Sequence, residues 1–172
     1  MRSFGEKKPM LGAQVYVDEA ATVIGEVHLH DGASVWPGAV IRADSARVDI
    51  GRNSAMMDVS FAEAPKGRPV VVGDRCIISH GALLHGCVVV DDCLVGIGAI
   101  VLDEAHIGAG SVIAAGSLIP PGTKIQPGSF VMGVPGRVIR ETKEADMTYL
   151  RAELRALAEK ASAYRAGVQA PI

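Results

Sequence analysis

The chain is poor in aromatic side chains, which make up only 4% of its 172 residues. Hydrophobic residues nevertheless account for 49% of the sequence, and glycine occurs 20 times. A core with so few rings has to be filled by valine, isoleucine, leucine and alanine, and such side chains suit thin, regular layers. The length allows one domain with a substantial core and room for an appendage.

Further absences exclude several classes of function. The formal net charge is −2 and no strongly basic block occurs, so we expect no nucleic-acid partner. The start, MRSFGEKKPM, lacks the apolar run of a secretory signal, and no uninterrupted apolar segment approaches membrane-span length, which predicts no membrane partner. The three cysteines, Cys76, Cys87 and Cys93, show neither CxxC spacing nor an even count, which favours reduced thiols in a cytoplasmic protein.

An aliphatic residue recurs at every sixth position along most of the chain. The series has slips after Ile41, Met56 and Leu102, and its members are Val23, Leu29, Val35, Ile41, Ile50, Met56, Val72, Ile78, Leu84, Val90, Gly96, Leu102, Ile107, Ile113, Ile119, Ile125 and Val131. Small residues follow many of them four places later, and this register assigns His106 to an inward slot. Neither a helix nor an alternating strand has this period. A hexapeptide repeat does, because three short strands make a triangular coil of about 18 residues, and the coils stack into a parallel β-solenoid.

Two segments depart from the repeat. Residues 62–70, AEAPKGRPV, contain two prolines and a glycine and predict a loop projecting from the prism. Apolar residues spaced three and four apart predict an amphipathic helix from about 142 to 165; they are Met147, Leu150, Leu154, Leu157, Ala161 and Tyr164. The predicted organisation is a β-helix domain over 1–140, with the loop at 62–70, and an amphipathic helix and tail over 141–172.

The segment SHGALLHG contains two histidines, His80 and His85, at a spacing that fits neither a helix nor one face of a strand. Placed on the repeat, both leave the interior and lie on either side of a corner, where two imidazoles diverge. Around a threefold axis, however, His80 of one subunit could meet His85 of the next. Because a catalytic zinc site needs about three protein ligands and an open position, one chain is expected to be insufficient.

Four segments resemble the gamma-class carbonic anhydrases. They are VWPGAVIRAD at 35–44, DVS at 58–60, SHGALLHGC at 79–87 (with Ser79 in place of the usual glycine) and GVPGRVIRE at 133–141. The resemblance implies a homotrimeric left-handed β-helix with a C-terminal helix and a metal held between subunits by three histidines. It matches His80 and His85 to two of these ligands. It also matches Arg42 and Asp44 to residues of the interface and bicarbonate site, and Asp58 to the aspartate that precedes the first histidine.

Position 63 departs from the family pattern, because Glu63 stands where the first histidine is expected. Ala55 and Met57 likewise replace the usual amides. In one interpretation Glu63, His80 and His85 bind zinc, or another divalent metal such as iron or cobalt, and activate water for CO2. Hydration should then be weak, since a carboxylate leaves less positive charge on the metal than an imidazole. In the other, Glu63 is a solvated loop residue and the site has decayed, so that no metal is bound.

Three functions remain open from the sequence. The first is a metal-dependent lyase that hydrates CO2 reversibly. The second is an acyltransferase or another enzyme acting on CoA thioesters, because hexapeptide solenoids also serve acetyltransferases. The third is a non-catalytic trimeric scaffold. Metal content and acetyl-CoA binding discriminate among the three.

Overall fold

The chain forms a parallel β-solenoid of about seven turns closed by one C-terminal helix, which confirms the predicted left-handed β-helix. The computed structural model describes residues 1–167, and the last five residues of the predicted tail lie outside the described residues. The strands are β1 (Met10–Leu11), β2 (Tyr16–Val17), β3 (Thr22–Leu29), β4 (Ser34–Val35), β5 (Val40–Ile50), β6 (Ala55–Met56), β7 (Phe61–Glu63), β8 (Val70–Val72), β9 (Ile77–Ile78), β10 (Leu83–His85), β11 (Val88–Val89), β12 (Leu94–Val95), β13 (Ile100–Val101), β14 (His106–Ile107), β15 (Val112–Ile113), β16 (Leu118–Ile119), β17 (Lys124–Ile125), β18 (Ser129–Gly133) and β19 (Gly136–Glu141).

The strands form three faces of a prism. The first face is an eight-stranded sheet containing β2, β4, β6, β9, β12, β15, β18 and β19. The second face contains β7, β10, β13 and β16, and the third contains β8, β11, β14 and β17. The long strand β5 belongs to both of these faces, because Val40–Arg42 pair with β7 and Val48–Ile50 pair with β8. The solenoid ends where β19 folds back antiparallel on β18.

The interior of the prism is filled by aliphatic and small side chains in alternating layers. Ile41, Ile78, Leu84 and Ile113 are fully buried, as the six-residue repeat predicts. Alanine, serine and cysteine occupy the narrow slots between them, and Cys76, Cys87 and Cys93 are all buried and unpaired. The low aromatic content therefore follows from the width of the coil, which has no space for rings.

The predicted register is wrong between residues 85 and 106. Val89, Val95 and Val101 are fully buried, whereas Val90 and Leu102 were expected inside. The coil is one residue shorter at the corner that follows β10, where Leu84 and Val89 are only five positions apart. His106 is therefore exposed on the outer side of β14 rather than placed in an inward slot.

The C-terminal helix α1 (Glu144–Arg165) lies on the first face. Leu150, Leu157 and Ala161 bury their side chains against a layer that includes Trp36 and Met57. At its start, the Asp146 carboxylate accepts hydrogen bonds from the Lys143 backbone and the Arg140 guanidinium. Within residues 1–167 no helix is both long enough and apolar enough to cross a membrane.

Candidate metal centre

His80 lies at the corner between the first and second faces, in the turn that joins β9 to β10. Its side chain is 49% exposed, and Nδ1 lies 3.2 Å from Oδ2 of Asp58. Asp58 occupies the corresponding turn of the preceding coil, and its carbonyl oxygen accepts a hydrogen bond from the Gly81 backbone. The stacking of coils thus brings Asp58, carried over from the family resemblance, into contact with a predicted metal ligand.

His85 is the last residue of β10 and lies at the opposite corner, between the second and third faces. Its Nδ1 is 2.8 Å from Oδ1 of Asp103, in the turn after β13. Both side chains are 30% exposed. Each histidine therefore has a carboxylate at Nδ1, which leaves Nε2 of each ring available to an external ligand.

Glu63 lies beside His85, because the two residues are register partners on neighbouring strands. On its other side Glu63 is the register partner of Arg42, whose guanidinium donates a hydrogen bond to Oε1 of Glu63. Glu63 is the last residue of β7, and its side chain is only 22% exposed. It is consequently a strand residue held by an ion pair, and the interpretation as a solvated loop residue is wrong.

Arg42 contacts two carboxylates at this corner. The ion pair with Glu63 is direct, whereas Nε of Arg42 is 3.8 Å from Oδ2 of Asp44. The backbone carbonyl of Asp44 accepts a hydrogen bond from Nζ of Lys7, which fixes the N-terminal segment to β5. Arg42 and Asp44 are therefore neighbours as predicted, but Arg42 forms its closer contact with Glu63.

The predicted ligands form two groups in one chain, separated by the width of the second face. One group contains Glu63 and His85, and the other contains His80. Across residues 1–167 no three histidine, cysteine, aspartate or glutamate side chains converge in a way that could hold a metal ion. The two histidines therefore diverge, as expected. The prediction that they lie on either side of a single corner is wrong, because the whole width of the second face separates them.

The second face carries an apolar column on its outer side, between the two histidine corners. The column consists of Val40, Phe61, Leu83, Ile100 and Leu118, which are aligned by the strand register. These side chains are half-buried, while the next residue of each strand points into the core. A continuous apolar strip on the surface of a chain is typical of an interface with another protein.

An apolar cavity of about 480 Å³ lies between α1 and the first face, and His80 is at its edge. Leu94, Val112 and Phe130 contribute to its wall, with Tyr149 on the helix side. This volume lies within the usual range for sites that bind small molecules.

A second cavity, of about 790 Å³, also borders His80 and is lined by Tyr16, Trp36 and Tyr164. The ring centroid of Tyr16 lies 5.4 Å from that of Trp36 and 5.5 Å from that of Tyr164. The Tyr16 hydroxyl donates a hydrogen bond to Asp18, and burial together with this contact raises the pKa of Tyr16. Tyr16 therefore stays protonated and acts as a packing and hydrogen-bonding group.

Asp103 is the residue of this arrangement that the sequence interpretation missed. It lies 18 positions after His85, but the coil between β10 and β13 is only 17 residues long, because Leu83 pairs with Ile100. Asp103 is therefore one position beyond the residue aligned with His85, and the repeat alone did not indicate the contact. The shortened corner between Leu84 and Val89 also hid the contact, because the assumed register placed the wrong residues at the corners.

The short parallel strands, the three-sided prism and the corner histidines define a hexapeptide-repeat β-helix protein with a C-terminal helix. No protein-family profile matches the chain. It is 39% identical to a probable carbonic anhydrase of Methanocaldococcus jannaschii, over 83% of this chain and 89% of that protein. It is 31% identical to gamma carbonic anhydrase 1, mitochondrial, of Arabidopsis thaliana, over 84% of this chain but 55% of that protein.

A solved structure shows the same fold over nearly the whole chain. It is the product of a Bacillus cereus gene described as a putative acetyltransferase, with a TM-score of 0.93, 32% identity and 96% of both chains covered. Together with the sequence relatives, it shows that this chain belongs to the gamma carbonic anhydrase-like family of hexapeptide-repeat proteins.

Proposed function

We propose that the protein is a homotrimer that hydrates CO2 reversibly at a metal centre between subunits. The apolar column of the second face is the observation that carries the proposal. If this column packs around a threefold axis, the corner with His80 on one subunit approaches the corner with His85 and Glu63 on the next. Closed rings of this kind are a common way to cover such a face.

The donor set of the two corners fits a zinc ion, with iron or cobalt as alternatives. The contacts at Nδ1 of His80 and His85 are the carboxylate partners that metal-binding histidines usually have. Glu63 uses Oε1 for Arg42, which leaves Oε2 as a donor. Two imidazoles and one carboxylate are a known catalytic zinc set. When bound, the metal supplies the Lewis acidity that activates water for attack on CO2.

The residues around the centre have separate tasks in this proposal. Asp58 holds the His80 ring in place, and the Arg42 guanidinium provides positive charge for the bicarbonate anion. Asp44 lies beside that guanidinium and limits its movement. Met57 is buried near His80, where an amide would orient the attacking oxygen through a hydrogen bond. Because a thioether makes no comparable hydrogen bond, we expect CO2 hydration to be weak.

The experiment is a joint measurement of oligomeric state, zinc content and CO2 hydration on the purified protein. The proposal predicts a trimer by sedimentation, about one zinc per subunit on the basis of three equivalent interfaces, and slow but measurable hydration. A monomer, or a trimer without zinc above background, would contradict it. A trimer that has neither zinc nor activity would identify a scaffold whose metal site has decayed.

An acyl-CoA enzyme is the second candidate, favoured by the apolar cavity beside His80. A cavity of about 480 Å³ exceeds what CO2 requires and could hold an acyl group. The Bacillus cereus structural relative is described as a putative acetyltransferase, which agrees with this candidate. Micromolar binding of acetyl-CoA in a thermal-shift titration would support it, and the absence of any shift at millimolar acetyl-CoA would contradict it.

We also propose a cytoplasmic location. The three cysteines are buried in core slots and form no disulfide, which favours a reducing compartment. Sγ of Cys76 lies 3.0 Å from the Val90 carbonyl, and Sγ of Cys93 lies 3.3 Å from that of Gly108. Fractionation of the native host, with the protein recovered in the cytoplasmic fraction, tests this location.

A further inference from the structure

We propose that Asp103 is a positioning residue for the metal centre, because its carboxylate holds the ring proton of His85 on Nδ1 and so presents Nε2 as a ligand. The role as a ligand rests on the proposed function. The proton position does not, since it is a property of the metal-free chain. Neither the sequence motifs nor the family resemblance pointed to Asp103.

The contact between His85 and Asp103 determines which nitrogen carries the proton. Nδ1 of His85 lies 2.8 Å from Oδ1 of Asp103, within hydrogen-bonding distance. An ionised carboxylate only accepts hydrogen bonds, and a neutral imidazole has one N–H group and one lone pair. The N–H group therefore lies on Nδ1, and the lone pair lies on Nε2.

Gly86 allows the carboxylate to reach this position. A Cβ atom at Gly86 would lie only 2.5 Å from Oδ1 of Asp103, and the backbone φ of +52° is one that other residues rarely adopt. Gly86 also lies within the shortened corner, where Leu84 and Val89 are five positions apart. The short corner and the missing side chain thus act together to bring Asp103 against His85.

The neighbouring backbone and loop hold Asp103 at this corner. The Glu104 amide donates a hydrogen bond to the Gly86 carbonyl at 2.7 Å, which ties the two coils together. The Glu104 carboxylate pairs with Arg68 of the loop at 64–69, also at 2.7 Å. The loop therefore stabilises the coil that carries Asp103, next to the corner with His85.

The chain offers a matched control for this pair. His28 and Asp49 form a similar contact on the third face, with Nδ1 of His28 3.1 Å from Oδ1 of Asp49. This pair lies away from both predicted metal-binding corners. A substitution of Asp49 consequently removes a carboxylate–histidine contact without changing the proposed centre.

The first test records the histidine tautomers of the metal-free protein by long-range ¹⁵N–¹H NMR. We expect the Nδ1–H form of His85 in the wild type and a shift toward the Nε2–H form in Asp103→Ala. Gly86→Ala should produce the same shift, because it displaces the carboxylate without removing it. An Nε2–H form in the wild type, or an unchanged His85 spectrum in folded Asp103→Ala, would overturn the proposal.

The second test measures Zn²⁺ affinity by competition with a chelator. We expect Asp103→Ala to bind Zn²⁺ roughly 10- to 100-fold more weakly, as is usual when the partner of a metal-binding histidine is lost. Asp103→Glu should recover part of the affinity, and Asp49→Ala should match the wild type. Equal affinity in Asp103→Ala and wild type would overturn the positioning role. If the wild type binds no Zn²⁺, the proposed function fails, and the tautomer spectrum still decides the assignment of Asp103.

Discussion

The Arg42 guanidinium donates a hydrogen bond to Oε1 of Glu63, its register partner on the neighbouring strand. The same carboxylate has His85 as its partner on the other side. Glu63 thus stands between a cation that competes for it and an imidazole with which it would share a metal. In the proposed centre, the balance between these two interactions determines the zinc affinity and the rate of CO2 hydration.

Removing the competing cation should strengthen metal binding. We expect Arg42→Met to bind Zn²⁺ about two- to fivefold more tightly, because a partly exposed ion pair contributes up to about 1 kcal/mol. CO2 hydration should fall at the same time, since the positive charge for bicarbonate is lost. Arg47→Met, which removes an ion pair with Asp49 on the third face, is the control. Weaker Zn²⁺ binding in Arg42→Met would mean that the ion pair holds Glu63 in its ligating position.

Replacing the carboxylate by an imidazole should increase activity. Glu63→His places a neutral ligand at the centre and leaves more positive charge on the metal, so the rate of CO2 hydration at neutral pH should rise on the order of tenfold. Glu63→Gln removes the charge without supplying an imidazole and should lose most of its zinc. Stopped-flow hydration assays and zinc analysis measure both variants. Identical rates for Glu63→His and wild type would show that position 63 does not face the reaction.

A charge in the apolar column should separate the subunits. Leu83 lies at the middle of the column, so Leu83→Asp should convert the trimer to a monomer and abolish zinc retention while the circular dichroism spectrum stays native. Val88→Asp, on the outer side of the third face, should remain trimeric. Sedimentation velocity distinguishes these outcomes. A trimeric Leu83→Asp variant would exclude the second face as the interface.

The stability of the fold at alkaline pH should depend on Cys87. Burial raises the pKa of the Cys87 thiol from 9.0 to about 12. The unfolded chain therefore ionises this thiol at lower pH than the folded chain, and stability that is complete below pH 9 decreases as the pH rises toward 12. Between pH 8 and 10 the wild type should lose roughly 1 kcal/mol more unfolding free energy than Cys87→Ala. Urea denaturation at the two pH values measures this difference, and equal losses would contradict the buried position of the thiol.

The repeat made the fold predictable, because each inward aliphatic residue marks a strand. Ile78 and Leu84 were placed correctly from spacing alone, as was the helix that buries Leu157. The short corner after His85 could not be predicted, since glycines occur at many other corners of the chain. Because that corner is one residue shorter than the repeat implies, Val90 and His106 were assigned to the interior of the coil, although they lie on its outer side.

The candidate site was predictable only in part. His80 and His85 stand out in the sequence because their spacing fits no regular element. Glu63 borders a segment rich in proline and glycine, so its place at the end of a strand was not evident. The contact of His85 with Asp103 depends on stacking between coils, and such contacts become visible only when the length of every coil is known.

Complementation between two inactive variants tests most directly whether the centre is shared between subunits. His80→Ala and His85→Ala homotrimers should each lack zinc. After the two are unfolded together and refolded, random assembly should restore about a quarter of the wild-type zinc content, since half of the subunits can contribute each histidine to an interface. Recovery to about this level, with CO2 hydration in proportion, is the predicted result. Mixed trimers that contain no more zinc than either parent would contradict a centre built from His80 of one subunit and His85 of its neighbour.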